Sequence, residues 1–248
     1  MKSKTSLIFG IHPVHEALRT GKPVDKILLK QGFRSETITG LFPLLREQGI
    51  PFQYVPAEKL NRLTGGNHQG IIAMISELEY TELEKLVPFL FEQGKLPVLV
   101  ILDSITDVRN LGALARSAEC AGIDALIVPA KGSAQINADA IKTSAGALNK
   151  IPVCRVNTLT DAGKYLRESG FQLIAATEKA EEIIYNADFS RPSAIILGAE
   201  DTGIDPKLLK MADMLVRIPL FGSIQSLNVS VAASVIFFEV VRQRNFQT

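Results

Sequence analysis

The chain has 248 residues, 46% of them hydrophobic and 21% charged, which is enough apolar material for one large core or two smaller ones and argues against disorder. A net charge of +1 and a pI near 7.7 give no overall electrostatic signature, so any contact with phosphate has to come from a local basic patch. The apolar stretch at residues 7–9 is too short for a signal-peptide core, and nowhere do about eighteen apolar residues run together; a soluble, cytoplasmic protein without membrane contact is the expectation.

In chain order, residues 1–76 read as a small α/β domain. Short apolar runs at 7–9, 27–29, 52–55 and 71–75 predict four strands, with helical patterns around 13–19 and 35–48. Residues 77–95 are acidic and then amphipathic, a linker carrying a short helix on which Phe89 and Phe91 either cover a neighbouring core or face a partner. From 96 to 248 the rhythm changes. Fully apolar runs (PVLVILD, ALIVP, IPVCRV, FQLIAAT, SAIILG, MLVRIPL) alternate with helical stretches at about 109–121, 137–148, 159–169, 205–212 and 228–243, the pattern of a parallel sheet covered on both faces. The helix at 205 opens with Asp205-Pro206, a cap followed by a good first-turn residue. Open α/β sheets bind ligands at the carboxyl ends of strands, which directs attention to the loops after Asp103, Thr177, Leu197 and Ile218.

Several familiar chemistries lack their residues. The turn after the first strand of the second segment, DSITDVRNLGALARSAECAG, holds no GxGxxG, and the chain has neither GxxxxGK[ST] nor GxSxG. Cys120 and Cys154 lie far apart without metal-site spacing and read as buried free thiols; no metal is expected. His12, His15 and His68 all fall in the first segment, where structural or ligand-contacting roles suit them better than general-base catalysis.

Three polar clusters do stand at strand ends. Asn110, Gly112 and Arg116 in NLGALARSA place a glycine and an arginine four apart on a helix, so that a gap admits another backbone or a ligand; a surface arginine beside an ordinary glycine has the same spacing. In LGAEDTGI two glycines bracket an acidic pair, which fits either a close approach to a ligand or a tight turn ahead of the Asp205 cap. In IPLFGSIQSLNVSVAAS a strand ends at Ile218-Pro219 and a helix begins near 226–228 with Ser226, Asn228 and Ser230 at its start. Capping explains one of these three polar residues, and the free N–H groups of a helix start also suit polar ligand groups.

These clusters, in this order, resemble the three motifs of the knotted SpoU (TrmH-type) RNA 2′-O-ribose methyltransferases of the SPOUT superfamily. IFGIHPVHEAL and NHQGIIA resemble the N-terminal substrate-binding domain, ribosomal protein L30e-like, of the subgroup that methylates a guanosine of 23S ribosomal RNA, and KTSAGAL resembles the family's middle segment. The resemblance implies a parallel-sheet α/β domain with a deep C-terminal trefoil knot, a homodimer with the active site across its interface, and S-adenosylmethionine bound by backbone around Thr177, Leu197, Gly198, Ile218, Leu220 and Leu227. It makes Arg116 the central catalytic residue, with Asn110, Glu200, Ser226 and Asn228 orienting it and the ribose. Asp201-Thr202 stands where members of the family often carry Gly and another small residue, and Leu220-Phe221 where Met and a small residue are frequent, which bears on subgroup rather than on reaction. For RNA docking, Lys22, Lys26, Lys30 and Arg34 with His68 and Gln69 form the candidate patch, or else a solvated lysine face. The rival readings are a noncatalytic RNA-binding or ribosome-assembly protein, a methyltransferase acting on a base nitrogen, and a transfer RNA substrate.

Overall fold

The computed structural model describes residues 7–32, 36–134 and 136–246. The chain divides into two compact units, residues 1–79 with 136–138, and residues 80–135 with 139–248. In the first unit β1 (Leu7–Phe9), α1 (Ile11–Arg19), β2 (Val24–Lys30), α2 (Glu36–Thr39), α3 (Leu41–Glu47), β3 (Phe52–Val55), α4 (Ala57–Leu63) and β4 (Ile71–Ile75) follow one another. The sheet order is β1-β4-β2-β3, with β4 antiparallel to both neighbours and β3 parallel to β2. Strand alternation decides the faces. Ile27, Leu29, Ile71 and Ala73 pack with Val14, Leu18, Leu41 and Leu45 of α1 and α3, whereas Leu28, Val55 and Ile72 pack with Leu60 of α4. The four strands stand where the apolar runs put them. Helix α4 is an addition: Leu60 is its one buried residue, too little for an apolar stripe.

The second unit contains α5 (Leu83–Glu92), β5 (Val98–Asp103), α6 (Val108–Cys120), β6 (Ala125–Pro129), α7 (Ala138–Thr143), β7 (Val153–Val156), α8 (Leu159–Glu168), β8 (Gln172–Ala176), β9 (Glu182–Ile183), β10 (Ser193–Gly198), α9 (Pro206–Met211), β11 (Met214–Arg217) and α10 (Val229–Asn245). Its sheet runs β7-β6-β5-β10-β8-β11-β9, and every pairing is parallel, as continuous apolar runs require. Leu99, Ile101, Ala194 and Ile196 meet α5, α8 and α9 on one face. The alternate residues Val100, Leu102, Ile195 and Leu197 are buried as well, so the opposite face is covered too, and there α10 contacts both β10 and α6. Burial of each such side chain contributes roughly 1.5–3 kcal/mol.

Two expectations need correction. The helix anticipated over 137–148 stops at Thr143, because Ala145 and Gly146 take positive φ (52° and 83°) and a short 3-10 turn follows at Ala147–Asn149. Cys120 is exposed: it ends α6 one turn beyond Arg116, on the outward side. Cys154 is buried, and desolvation, with Glu84 nearby, pushes its thiol up to about 12.

Candidate active site

The strands β5, β10, β8 and β11 are consecutive neighbours in one parallel sheet, so the loops after Asp103, Thr177, Leu197 and Ile218 emerge side by side at its carboxyl edge. Each polar cluster enters that edge with its own local support. Asp107 caps α6, its Oδ1 accepting from Arg109 N at 2.6 Å and Asn110 N at 3.4 Å, which sets Asn110 in the first turn. Asn228 caps α10 and its Oδ1 accepts from Ser230 N at 3.0 Å and Ser230 Oγ at 2.6 Å. That fixes the amide plane and leaves Nδ2 to donate elsewhere.

Glu200 is where it donates. Asn228 Nδ2 lies 2.6 Å from Glu200 Oε1 and 3.0 Å from Asn110 Oδ1, Asn110 Nδ2 donates to the same Glu200 oxygen at 3.2 Å, and the backbone amide of Val229 adds a further bond to it at 3.1 Å. One carboxylate oxygen thus gathers donors from two segments 90 and 28 residues away, one of them the start of a helix, where N–H groups lack partners and the dipole favours negative charge. Glu200 Oε2 accepts no hydrogen bond among the described residues, which makes it the free acceptor of the cluster.

Arg116 and Ser226 stand apart. Both are exposed, and neither side chain hydrogen-bonds to the cluster or to any other described residue. The gap beside Arg116 belongs to the protein itself: a Cβ at Gly112 would lie 2.7 Å from Thr143 Cβ and 2.9 Å from Ala140 O, so this glycine lets α7 pack against α6. Gly198 is explained similarly, since a Cβ there would come within 2.3–2.5 Å of Gly203 C, Gly203 O and Ile204 N; the strand end needs a glycine because its own loop folds back across it. Gly203, at φ +69°, makes that return possible, its N–H donating to Ala199 O at 2.9 Å.

Of the residues expected around a cofactor, Leu197 is buried in the core and can offer its backbone alone, Thr177, Gly198, Ile218 and Leu227 are half-buried, and Leu220 is exposed. Among the described residues the backbone of 218–227 makes no hydrogen bond, so a long stretch of N–H and C=O groups stands open beside the Glu200 cluster. Residues 220–226 lie at the surface, where water meets these groups, and an adenosyl ligand with a polar base, ribose and amino-acid tail suits such a lining. No cluster of His, Cys, Asp and Glu among the described residues is placed to hold a metal ion, and no helix among them is long and apolar enough to cross a membrane.

In the first unit the residues of the candidate basic patch differ in how they are held. Gln69 Oε1 accepts from Ile11 N at 3.0 Å at the start of α1. His68 Nδ1 accepts from Gly70 N at 3.0 Å while Nε2 pairs with Asn61 Oδ1 at 2.8 Å. These two residues hold their own loop together. Lys22 and Lys30 are exposed, and Lys26 donates to Gln53 Oε1 at 2.7 Å. Partial burial, then the neighbouring Lys59, holds the Lys26 ammonium below its usual value, which adds Lys59 to the patch; α4, which carries it, was not anticipated. Arg34 lies outside the described residues.

The model of the SpoU rRNA methylase family matches residues 97–238, more than half of the chain. The chain belongs to this family. A second model, RNA 2′-O ribose methyltransferase substrate binding, matches residues 7–81 of this SpoU protein. A TrmH family tRNA/rRNA methyltransferase of Staphylococcus aureus is 34% identical over 241 residues, 97% of either chain. Among solved structures, the SpoU methyltransferase AviRb of Streptomyces viridochromogenes in complex with AdoMet has a TM-score of 0.61 at 25% identity, covering 96% of this chain and 90% of AviRb. The A. aeolicus TrmH/SpoU tRNA modifying enzyme has a TM-score of 0.55 at 28% identity, over 65% of this chain and 84% of its own. This SpoU protein is therefore an RNA methyltransferase that uses S-adenosylmethionine.

Proposed function

We propose that this SpoU protein methylates a ribose 2′-hydroxyl of RNA, with a guanosine of 23S ribosomal RNA as its target. The observation that carries the reading is the Glu200 cluster, because it joins residues of all three motifs through one carboxylate oxygen. The match of residues 7–81 to a 2′-O ribose substrate-binding model supports ribose as the acceptor. Residues 1–76 then dock RNA, in part through Lys22, Lys26, Lys30 and Lys59, while residues 96–248 carry out the reaction, with 77–95 between them.

S-adenosylmethionine, when bound, supplies a methyl group already activated on a sulfonium; the backbone of 218–227 with Thr177, Leu197 and Gly198 would hold it. What remains for the chain is to lower the cost of the negative charge that builds on a ribose oxygen as its proton leaves. Arg116 serves as a fixed positive charge beside that oxygen, since a guanidinium stays protonated and makes a poor base. Glu200 Oε2 is free to orient the ribose or the arginine, and Asn110, Asn228 and the Val229 N–H hold Glu200 in place. Ser226 and Arg116 do not reach this cluster within one chain, which favours a site completed by a second copy. Exposed apolar residues of the second unit favour a homodimer as well: Phe221 is 98% exposed, and Val231 and Phe238 lie seven apart on the outward side of α10, a helix apolar on nearly every face. Such an enzyme acts on cytoplasmic RNA.

A transfer RNA substrate is the second reading, favoured by the likeness to the A. aeolicus tRNA modifying enzyme; the name of the Staphylococcus aureus relative covers both substrates. Transfer of labelled methyl to purified 23S ribosomal RNA and to total transfer RNA, followed by mapping of 2′-O-methyl positions, decides between them. Arg116→Ala is expected to lower turnover at least roughly 10³-fold with the calorimetric affinity for S-adenosylmethionine kept; full turnover in that variant sinks the assignment of Arg116.

A further inference from the structure

Glu200 owes its position to a turn, and the turn is fastened from outside. β10 runs parallel to β5 as far as the pair Gly198 and Asp103. The chain then leaves the sheet, presents Glu200 and comes back at Gly203, whose N–H bonds to Ala199 O at 2.9 Å. The outgoing limb is held by the β10 pairing. The returning limb is held by Asp103: its Oδ2 accepts from Asp205 N at 2.7 Å, and its Oδ1 accepts from Ser104 Oγ at 3.0 Å. Asp205 then caps α9 through Lys207 N at 2.7 Å. Asp103 is 8% exposed. A buried carboxylate is an expensive way to close a loop, and this one sits at the root of the turn that carries Glu200.

We propose that Asp103 is a positioning residue of the active site, which keeps Glu200 Oε1 within reach of Asn110, Asn228 and the Val229 N–H by holding the return limb of the 199–203 turn. The proposal rests on the reading that the Glu200 cluster serves methyl transfer. It follows that an amide at position 103 should suffice, because its oxygen can accept from Asp205 N while its NH₂ donates to the Ser104 hydroxyl, which is able to accept.

The test is a double-mutant cycle with kcat and the KM for RNA measured separately. Asp103→Ala is expected to lower kcat roughly 10- to 100-fold, the scale of a displaced catalytic group, with the KM for RNA little changed. Asp103→Asn should restore kcat to within about threefold of the parent. In a Glu200→Ala background, Asp103→Ala should cost less than about twofold more, since a residue that acts through Glu200 has nothing left to position. Should Asp103→Ala fail to fold, Asp103→Ser, which keeps a partner for Ser104 and is too short to reach Asp205 N, carries the same comparison. Additive losses in the cycle, or full activity in Asp103→Ala while Glu200→Ala is crippled, overturn the positioning role alone. Full activity in Glu200→Ala overturns the role assigned to the cluster, and the positioning role with it.

Discussion

Helix α10 begins and ends in a polar network, and the two networks differ in what they leave over. At its start Asn228 and Glu200 are exposed, and Glu200 keeps one oxygen without a partner among the described residues. In its last turns Gln243 and Glu239 are buried. Gln243 Oε1 accepts from Phe189 N at 3.1 Å, and Nε2 donates to Ala187 O at 2.9 Å and to Glu239 Oε1 at 2.8 Å. Arg242 grips Glu239 with two bonds of 2.8 Å, and Arg244 donates to the carbonyls of Phe189, Arg191 and Leu96. Every polar atom of Gln243 and both oxygens of Glu239 are used, which is what burial demands. A saturated network fastens the helix to the segment before β10; an open one has capacity for a ligand. Substitutions at the two ends should therefore fail in different ways.

Of the two ends, the larger effect is expected at the open one. Glu200→Ala removes the acceptor shared by Asn110, Asn228 and Val229, and kcat should fall roughly 10²-fold while the melting temperature shifts little, because the freed Asn110 and Asn228 amides are near solvent and only the Val229 N–H is partly buried. Methyl-transfer rates at saturating RNA, set beside a thermal melt, check both halves; a large drop in melting temperature would contradict the division of labour. Gln243→Leu at the closed end should do the reverse. It strands Phe189 N and Ala187 O in the interior, at about 1–3 kcal/mol for each unsatisfied group. Urea unfolding should thus show a loss of about 2–6 kcal/mol, with kcat per folded molecule unchanged.

The same contrast explains which parts were legible in the sequence. Runs such as VLVILD, buried at every position, could be read because a parallel strand covered on both faces needs apolar residues throughout. Most of the Glu200 cluster could be read because Asn110, Glu200 and Asn228 are side chains in recognisable motifs; the Val229 N–H that joins them could not. The clamp at the end of α10 could not: its partners are the backbone groups of Ala187, Phe189, Arg191 and Leu96, which leave no mark in residue type. β9, two residues long, is too short for any period. Gly112 and Gly198 read as gaps, but what fills them, α7 in one case and the chain's own return in the other, depends on packing that spacing does not record. The loop bonds of His68 and Gln69 were not legible either, because polar residues in a glycine-flanked loop give no hint of the backbone amides they accept from.

A smaller effect concerns pH at the closed end. Hydrogen bonds from Arg242, then from Gln243, hold the Glu239 carboxyl below its ordinary value of 4.5 against the opposing effect of burial. A carboxyl with a lowered folded-state value contributes stability that is complete above 4.5 and is lost as pH falls through the folded value. Urea titrations of the parent and of Glu239→Gln should differ by about 1–2 kcal/mol near neutral pH and converge under acid conditions; a gap that widens on acidification would place the carboxyl's support elsewhere.

The smallest effect belongs to Ser230, whose hydroxyl donates to Asn228 Oδ1 at 2.6 Å beside the bond from its own backbone amide at 3.0 Å. Ser230→Ala deletes the first bond and keeps the second, so the cap survives. An exposed hydrogen bond contributes about 0.5–1.5 kcal/mol, and alanine returns roughly 0.5 kcal/mol of helix propensity; stability should change by less than about 1 kcal/mol. Activity is the sharper readout. If the amide bond alone orients Asn228, kcat stays within about twofold of the parent. If the hydroxyl also sets the amide plane, Nδ2 drifts from Glu200 and kcat falls while the melt stays in place, which would make helix capping itself part of how the open network is aimed.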